Sequence, residues 1–456
     1  MSLLLLDSSS ERFLMNLRKM VFMGITALLL IAATYIFNQP SVADELKHAS
    51  IGVEDTATVF QTKSTNELVA YWQARVKDNP KDFISLTYLG QIFASRARET
   101  GNVSDYVEAE TAYRQALAID PKYTNAQAYL STALFAMHDF NGALDQATTV
   151  YTNDSSALLA LETIGDAQME LGNYAQADAA FHTLLEQVPS PPVFARLARL
   201  AWLKGNPDEA LNWMQRAVDQ AKQTGYEGEE AAWYEFQLGE NYFLTGKIDE
   251  AEQHYSAALD YFNNYHFALA GLGKVRAAQG RYEEAIAFYQ RAVNIIPQPV
   301  YLAALGDLYT ITGNIDKANQ QYDTVDFIGK LAAINQVVYN RELVLFDANH
   351  DRKVSEAIAL ASKELSARKD IYGYDAEAWA LAKNQRYQEA ANDMDQAMKL
   401  GTRDALLYYH AGMIYAALGD HARARTLLTE ALSINPYFDL LQARIARATL
   451  DQLPTN

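Results

Sequence analysis

Gly271-Leu-Gly-Lys-Val-Arg-Ala-Ala-Gln-Gly-Arg-Tyr-Glu-Glu-Ala-Ile-Ala-Phe-Tyr-Gln-Arg-Ala-Val-Asn-Ile-Ile-Pro297 reads as two short helices and the turn that joins them. Gly273, Ala285 and Ala292 are small enough to let the helices approach, while Leu272, Ile286 and Tyr289 fill the space between them. Gly280 stops the first helix and Pro297 follows the second, the usual punctuation of helix ends. One such pair cannot bury its own apolar face. It needs neighbours of the same kind.

The sequence supplies them. With Ala285 as marker, the same place recurs at Ala109, Ala143, Ala177, Ala210, Ala251, Ala318, Ala357, Ala390 and Ala424, mostly at one nearly constant interval, as from Ala143 to Ala177 and from Ala251 to Ala285. Four residues later stands a large apolar side chain, as in Tyr113, Phe181, Met214, Tyr255, Tyr289, Tyr322, Met394 and Leu428. Twelve residues before the marker stands a small one, as in Gly165, Ala198, Gly239, Gly306, Ala378 and Gly412. This register resembles the tetratricopeptide repeat, a helix-turn-helix unit of about 34 residues that stacks into a superhelix. The resemblance implies an all-α, right-handed superhelical solenoid of about ten repeats with terminal caps over residues 66–450. It also implies protein binding on a concave face lined by the first helix of each pair. Each unit is expected to lean only on its neighbours, leaving one long open trough.

The array has irregular places. Glu67 to Asn79 has the character of a second helix without its first, with Leu68, Trp72 and Pro80 at the marker, bulky and terminal positions. Ser95 to Asn102 lengthens the first full unit, and Gln220 to Glu230 stretches the interval from Ala210 to Ala251 beyond the usual one. Asp326 to Arg352 is the least regular part, with a long first helix expected over Gly329 to Asp347. Tyr437 to Leu450 is an amphipathic closing cap, with Leu440, Leu441, Ile445 and Leu450 in helical spacing.

Residues 1–43 are of a different character. Arg18 and Lys19 precede a largely apolar run from Val21 to Phe37, and Ser41-Val42-Ala43 has the small residues a signal peptidase reads. The stretch is a cleaved signal peptide or, since the run just reaches the minimum length of a membrane span, an uncleaved anchor. Met15 is an alternative start. In either case basic residues before the run and acids after it direct the bulk of the chain across the membrane. Residues 44–65 read as a linker. A net charge of -18 argues against nucleic acid, and the lack of cysteine removes disulfides, thiolate nucleophiles and Cys-ligated metals.

Chemistry-bearing motifs are few. Asp347-Ala-Asn-His-Asp-Arg begins like a calcium loop, but Arg352 stands where glycine is needed and Ile358 where the closing acid belongs, so a helix–helix turn is expected. The histidines form no ligand spacing, and no cofactor, metal site or small-molecule substrate is indicated. First-helix positions carry Phe135, Trp202, Trp233, Phe236, Phe243, Tyr372, Trp379, Tyr409 and Met413 among Glu162, Asp166, Glu240 and Asp307. Aromatics with sparse acids suit a partner protein or peptide with apolar anchors. The Lys, Arg and Asn clamp by which some tetratricopeptide relatives hold a terminal carboxylate is not evident, since Glu162, Asp166, Ala195, Arg199, Phe236, Glu240, Ala270 and Lys274 occupy those places. The expected function is a non-enzymatic scaffold, exported to the periplasm, cell envelope or exterior, with or without an anchor at residues 21–37. The alternatives are a cytosol-facing membrane-anchored receptor for client proteins, and an enzyme with a site in residues 326–352.

Overall fold

The computed structural model describes residues 64–100, 102, 104–334 and 341–454, so the apolar run, the peptidase-like site and nearly all of the linker lie outside it. The described residues form 22 helices and no strand. Helix α1 (Thr65–Asp78) opens the array, and ten pairs follow. They are α2 (Phe83–Thr100) with α3 (Ser104–Ile119), α4 (Thr124–Ala136) with α5 (Phe140–Asn153), and α6 (Leu158–Glu170) with α7 (Tyr174–Gln187). Then come α8 (Pro191–Leu203) with α9 (Pro207–Gln223), α10 (Gly228–Leu244) with α11 (Ile248–Tyr261), and α12 (His266–Ala278) with α13 (Tyr282–Ile295). The last four are α14 (Pro299–Ile311) with α15 (Ile315–Ile334), α16 (Arg341–Asn349) with α17 (Val354–Ala367), α18 (Ile371–Lys383) with α19 (Tyr387–Ala397), and α20 (Ala405–Ala417) with α21 (His421–Ile434). Helix α22 (Gln442–Gln452) closes the chain.

Local chemistry sets these boundaries. Ser64 caps α1 in a reciprocal box, its side chain accepting from the Glu67 amide while the Glu67 carboxylate accepts from the Ser64 amide at 2.7 Å. Gly280 adopts φ 74°, and the Arg281 amide reaches back 2.8 Å to the Arg276 carbonyl, closing α12. His138 and Gln385 make the same left-handed turn without glycine. Both expansions are helical: α2 has 18 residues, and α9 and α10 have 17 each against 13 or 14 in ordinary units.

Packing explains the repeat signal. All ten marker alanines are at most 1% exposed. A Cβ on Gly273 would lie 2.7 Å from the Tyr289 ring, and Gly165 and Gly306 meet Phe181 and Tyr322 in the same way. The small residue before the marker and the bulky one after it are therefore two halves of one contact within a pair. First helices of successive pairs touch each other, as α10 with α12 and α18 with α20, so they lie on the inside of the curve.

The irregular segment corrects the expected boundaries. α15 continues through Gly329 to Ile334, and the next described helix is Arg341–Asn349. Arg352 and Lys353 both pair with Asp326, which ties the far end of α15 to the turn after α16. That turn is the calcium-like stretch. Asp347 is buried, Asp351 pairs with Lys383 at 2.7 Å, and Asp351 and Lys353 take left-handed φ values of 53° and 36°.

The expectation of an open trough in which units touch only neighbours does not hold. A Cβ on Gly172 would sit 2.3 Å from the Lys369 carbonyl oxygen, one on Gly205 2.3 Å from that of Gly401, and one on Gly246 3.0 Å from that of Ile434. Gly172 and Gly205 lie in turns that meet the loop before the pair six units further on, and the turn at Gly246 meets the end of α21, ahead of the closing helix. The array completes a coil and its second coil lies edge-on against the first. Polar contacts fasten this seam: Tyr174 Oη accepts from the Ile371 amide at 2.9 Å, Thr402 Oγ1 donates to the Leu203 carbonyl, and Asn435 Nδ2 donates to the Phe243 carbonyl at 2.8 Å.

An ionic cluster closes one end of the seam. Glu170 receives Arg199 and, at 2.5 Å, Arg368, while Arg341 reaches Asp370 at 2.7 Å and Glu364 at 3.2 Å. Burial alone would raise the Glu170 carboxyl, but the guanidinium groups of Arg199, Arg368 and Arg341 override it and hold it at about 2. Three acids and three guanidinium groups balance within the cluster, the arrangement that makes buried charge tolerable.

Candidate functional site

Alanines at inward positions keep part of the inner face of the coil open. Ala277, Ala303, Ala304 and Ala443 help to line a cavity of about 380 Å³ between α12, α14 and α16 on one side and the chain from Pro436 to Arg447 on the other. Apolar wall comes from Phe243, Tyr289, Phe346 and Phe438. Val300 and Tyr437, 40% and 42% exposed, stand where it opens to solvent.

Several polar groups of the cavity are tied to neighbours, while burial pushes up the carboxyl of Glu342, which also lines it. Asp307 accepts from Tyr322 Oη at 2.7 Å and from His350 Nε2 at 2.7 Å, and His350 Nδ1 donates to the Phe346 carbonyl at 2.8 Å. Burial pushes His350 down, but Asp307 outweighs it and leaves the imidazole above its ordinary value. Asp439 accepts from the Leu441 and Gln442 amides at 2.8 and 2.7 Å just ahead of α22, and burial, followed by the nearby Asp307 charge, pushes its carboxyl up. Lys274 is neutralised by Glu240 at 2.7 and 2.8 Å. Arg444 donates to Tyr282 Oη at 2.6 Å, and Arg447 donates to the Pro436 carbonyl.

Acids and a histidine thus converge beside the irregular segment, as an enzymatic site there would require, but their geometry is that of an ion pair. Both His350 nitrogens are engaged as donors, leaving none to take a proton from a substrate. No group of three or more His, Asp or Glu among the described residues is arranged to hold a metal ion. What this concavity offers is apolar surface with fixed polar edges, suited to holding a chain.

The aromatics singled out in the sequence fall into three places. Trp202, Tyr372, Trp379, Tyr409 and Met413 gather near the seam. Trp202 Nε1 donates to Tyr372 Oη at 3.1 Å, Tyr372 donates to Asp404 at 3.2 Å, Tyr409 donates to Gln442, and Trp379 stacks on His410 with centroids 4.3 Å apart. Phe243 forms part of the cavity wall. Phe135, Trp233 and Phe236 lie elsewhere on the first coil, packed on Phe140, Tyr234 and Phe267. Trp202, Phe243, Trp379 and Tyr409 are 6%, 5%, 4% and 1% exposed, so the closed coil covers them with its own chain. Sequence reasoning missed Tyr437, Asp439, Arg444 and Arg447, which belong to the cap. The available signal is the non-helical Pro436-Tyr-Phe-Asp-Leu440 preceding α22.

Comparison with known proteins agrees with the repeat unit. Tetratricopeptide-repeat family models match residues 159–190, 193–264, 236–299 and 405–438. The chain is 25% identical over 224 residues to the human Protein O-mannosyl-transferase TMTC1, covering 47% of this chain and 24% of that one, so it spans about a quarter of that relative's length. Among solved structures, yeast Tom70 is similar at 15% identity over 87% of this chain and 94% of that chain, with a TM-score of 0.35. The APC/C hetero-tetramer Cut9-Hcn1 is similar at 16% identity over 91% and 99%, with a TM-score of 0.32, and MamA at 21% over 37% and 96%, with a TM-score of 0.31.

Proposed function

We propose that this chain, which carries tetratricopeptide repeats, is an exported scaffold that seats a segment of a partner polypeptide in the cavity between α12, α14, α16 and residues 436–447. The observation that carries the reading is the cavity itself: about 380 Å³ on the inner face, walled by aromatics and reached past the exposed Val300 and Tyr437. A segment bearing one or two apolar anchors fits that volume, and fixed polar groups at its edge would orient the backbone. The repeat itself points to protein binding without catalysis.

Export rests on the basic-then-apolar order of Arg18, Lys19 and Val21 to Phe37, with Ser41-Val42-Ala43 beyond it. Among the described residues no helix is long and apolar enough to cross a membrane. A photo-crosslinking residue at Val300 in intact cells, followed by mass spectrometry, tests the site. Capture of a partner that is lost when Ala303→Trp fills the cavity supports it, and capture unaffected by that change removes it. Protease added outside the cells, or outside spheroplasts, separates export from a cytosol-facing receptor. Digestion of the array is expected, and full protection would reverse the orientation.

A further inference from the structure

The charges that line the cavity are not all matched. Lys274 meets Glu240, His350 meets Asp307, and Asp439 is turned onto two backbone amides. Glu342 differs. It lines the cavity from the first turn of α16, and among the described residues its carboxylate meets no hydrogen-bond donor and no cation at ion-pair distance. Its neighbour Arg341 is taken up by Asp370 and Glu364. Glu342 is exposed, so water reaches it, but it stands in a concave wall where surrounding protein displaces bulk solvent, and that burial raises its carboxyl, with Glu364 adding to the rise. A counter-charge brought there meets weaker screening than on an open surface.

The opposite wall carries the opposite sign. Arg444 and Arg447 of α22 line the same cavity. Arg444 donates to Tyr282 Oη at 2.6 Å and Arg447 to the Pro436 carbonyl, so each holds a neutral oxygen, and neither pairs with a carboxylate among the described residues. A guanidinium has five N–H donors, which leaves donors on both for a ligand.

We propose that the cavity selects a partner segment whose apolar anchor is flanked by a basic and an acidic side chain, the basic one received by Glu342 and the acidic one by Arg444 and Arg447. This rests on the partner-segment reading above and adds the chemistry of the occupant. A segment of one sign would leave one wall unmatched and press like charge against the other. Because the two signs belong to opposite walls, one order of the two charges along the segment is favoured, and the cavity sets its direction.

The test uses the purified full chain and fluorescein-labelled synthetic peptides that share a Leu-Phe anchor. The anchor is flanked by Lys and Glu in either order, by Lys alone, by Glu alone, or by Gln on both sides, and affinity is read as fluorescence anisotropy. One Lys and Glu order should bind tightest, each matched charge giving about fivefold over Gln. Glu342→Gln should erase the gain from Lys and keep the gain from Glu, and Glu342→Lys should turn the gain from Lys into a loss. Arg444→Gln with Arg447→Gln should erase the gain from Glu alone. Loss of one gain with retention of the other is a pattern that misfolding does not give. Equal binding of all the peptides, abolished by Ala303→Trp, overturns the charge selection and leaves the cavity reading standing. Binding of none of them overturns both, and a preference for Lys that survives Glu342→Lys overturns the assignment to Glu342.

Discussion

Two glycines in equivalent turns isolate the contribution of the seam. Gly205 and Gly313 have φ values of 77° and 81°, so alanine at either place costs about 1–2 kcal/mol of left-handed strain. Their surroundings differ. A Cβ at Gly205 would lie 2.3 Å from the Gly401 carbonyl oxygen and 2.9 Å from its carbon, whereas at Gly313 nothing lies within 4 Å. The obstacle at Gly205 is backbone, which no rotamer change relieves, so the seam must shift at an overpacking cost of about 1–3 kcal/mol. Gly205→Ala should therefore destabilise the chain by about 1–3 kcal/mol more than Gly313→Ala, the strain being common to both. Urea unfolding followed by tryptophan fluorescence gives the comparison, because Trp202 sits beside the turn and the two variants share a slope. If the two alanine variants unfold at the same urea concentration, the coils do not touch as described and the closed architecture is wrong.

Other outcomes follow from the same contacts. Gly273→Ala should cost about 1–3 kcal/mol by pressing on Tyr289, and Tyr289→Leu in the same chain should recover part of that, which a double-mutant cycle in urea measures. Glu170 titrates at about 2 in the folded chain against an ordinary 4.5, so its stabilisation, on the order of 3 kcal/mol, is complete above pH 4.5 and fades as pH falls toward 2. Glu170→Gln should abolish that part of the acid profile. His350 moves the other way. Its folded value is raised by Asp307, so its contribution is complete below its unfolded value and is lost as pH rises through the folded one. Asp307→Asn should flatten the loss of stability on the alkaline side, read as urea midpoints across neutral pH.

The repeat is legible in the sequence because each unit states its packing locally. A glycine or alanine twelve positions before the marker and a ring four positions after it are close in the chain, and Gly273 with Tyr289 shows them in direct contact. Residues 326–352 resist the same reading because Leu345 stands where a small residue would mark the first helix, so nothing announces that α15 runs on to Ile334. The seam is invisible for a different reason. Gly172, Gly205 and Gly246 are also the residues a helix end requires, and Asn435 reads as an ordinary cap, so their second role leaves no signal. The partner of each stands far along the chain, as Ile434 from Gly246 and Lys369 from Gly172, with no local pattern to link them. Assigning aromatics such as Trp202 and Tyr409 to a partner follows only if the trough is open. Tyr372 of the second coil meets Trp202, and Trp379, Phe438 and Gln442 cover Tyr409.

Fixing the offset of the seam at six pairs sets this chain apart from arrays whose length is free to drift. Duplicating or deleting one unit between α6 and α18 would move every loop of the second coil past its turn, so that Thr402 and Asn435 would face the wrong carbonyls. Gain or loss of repeats should be tolerated only outside that span, among the pairs before α6. Within it α9, α10 and α15, of 17, 17 and 20 residues, carry the extra helical length.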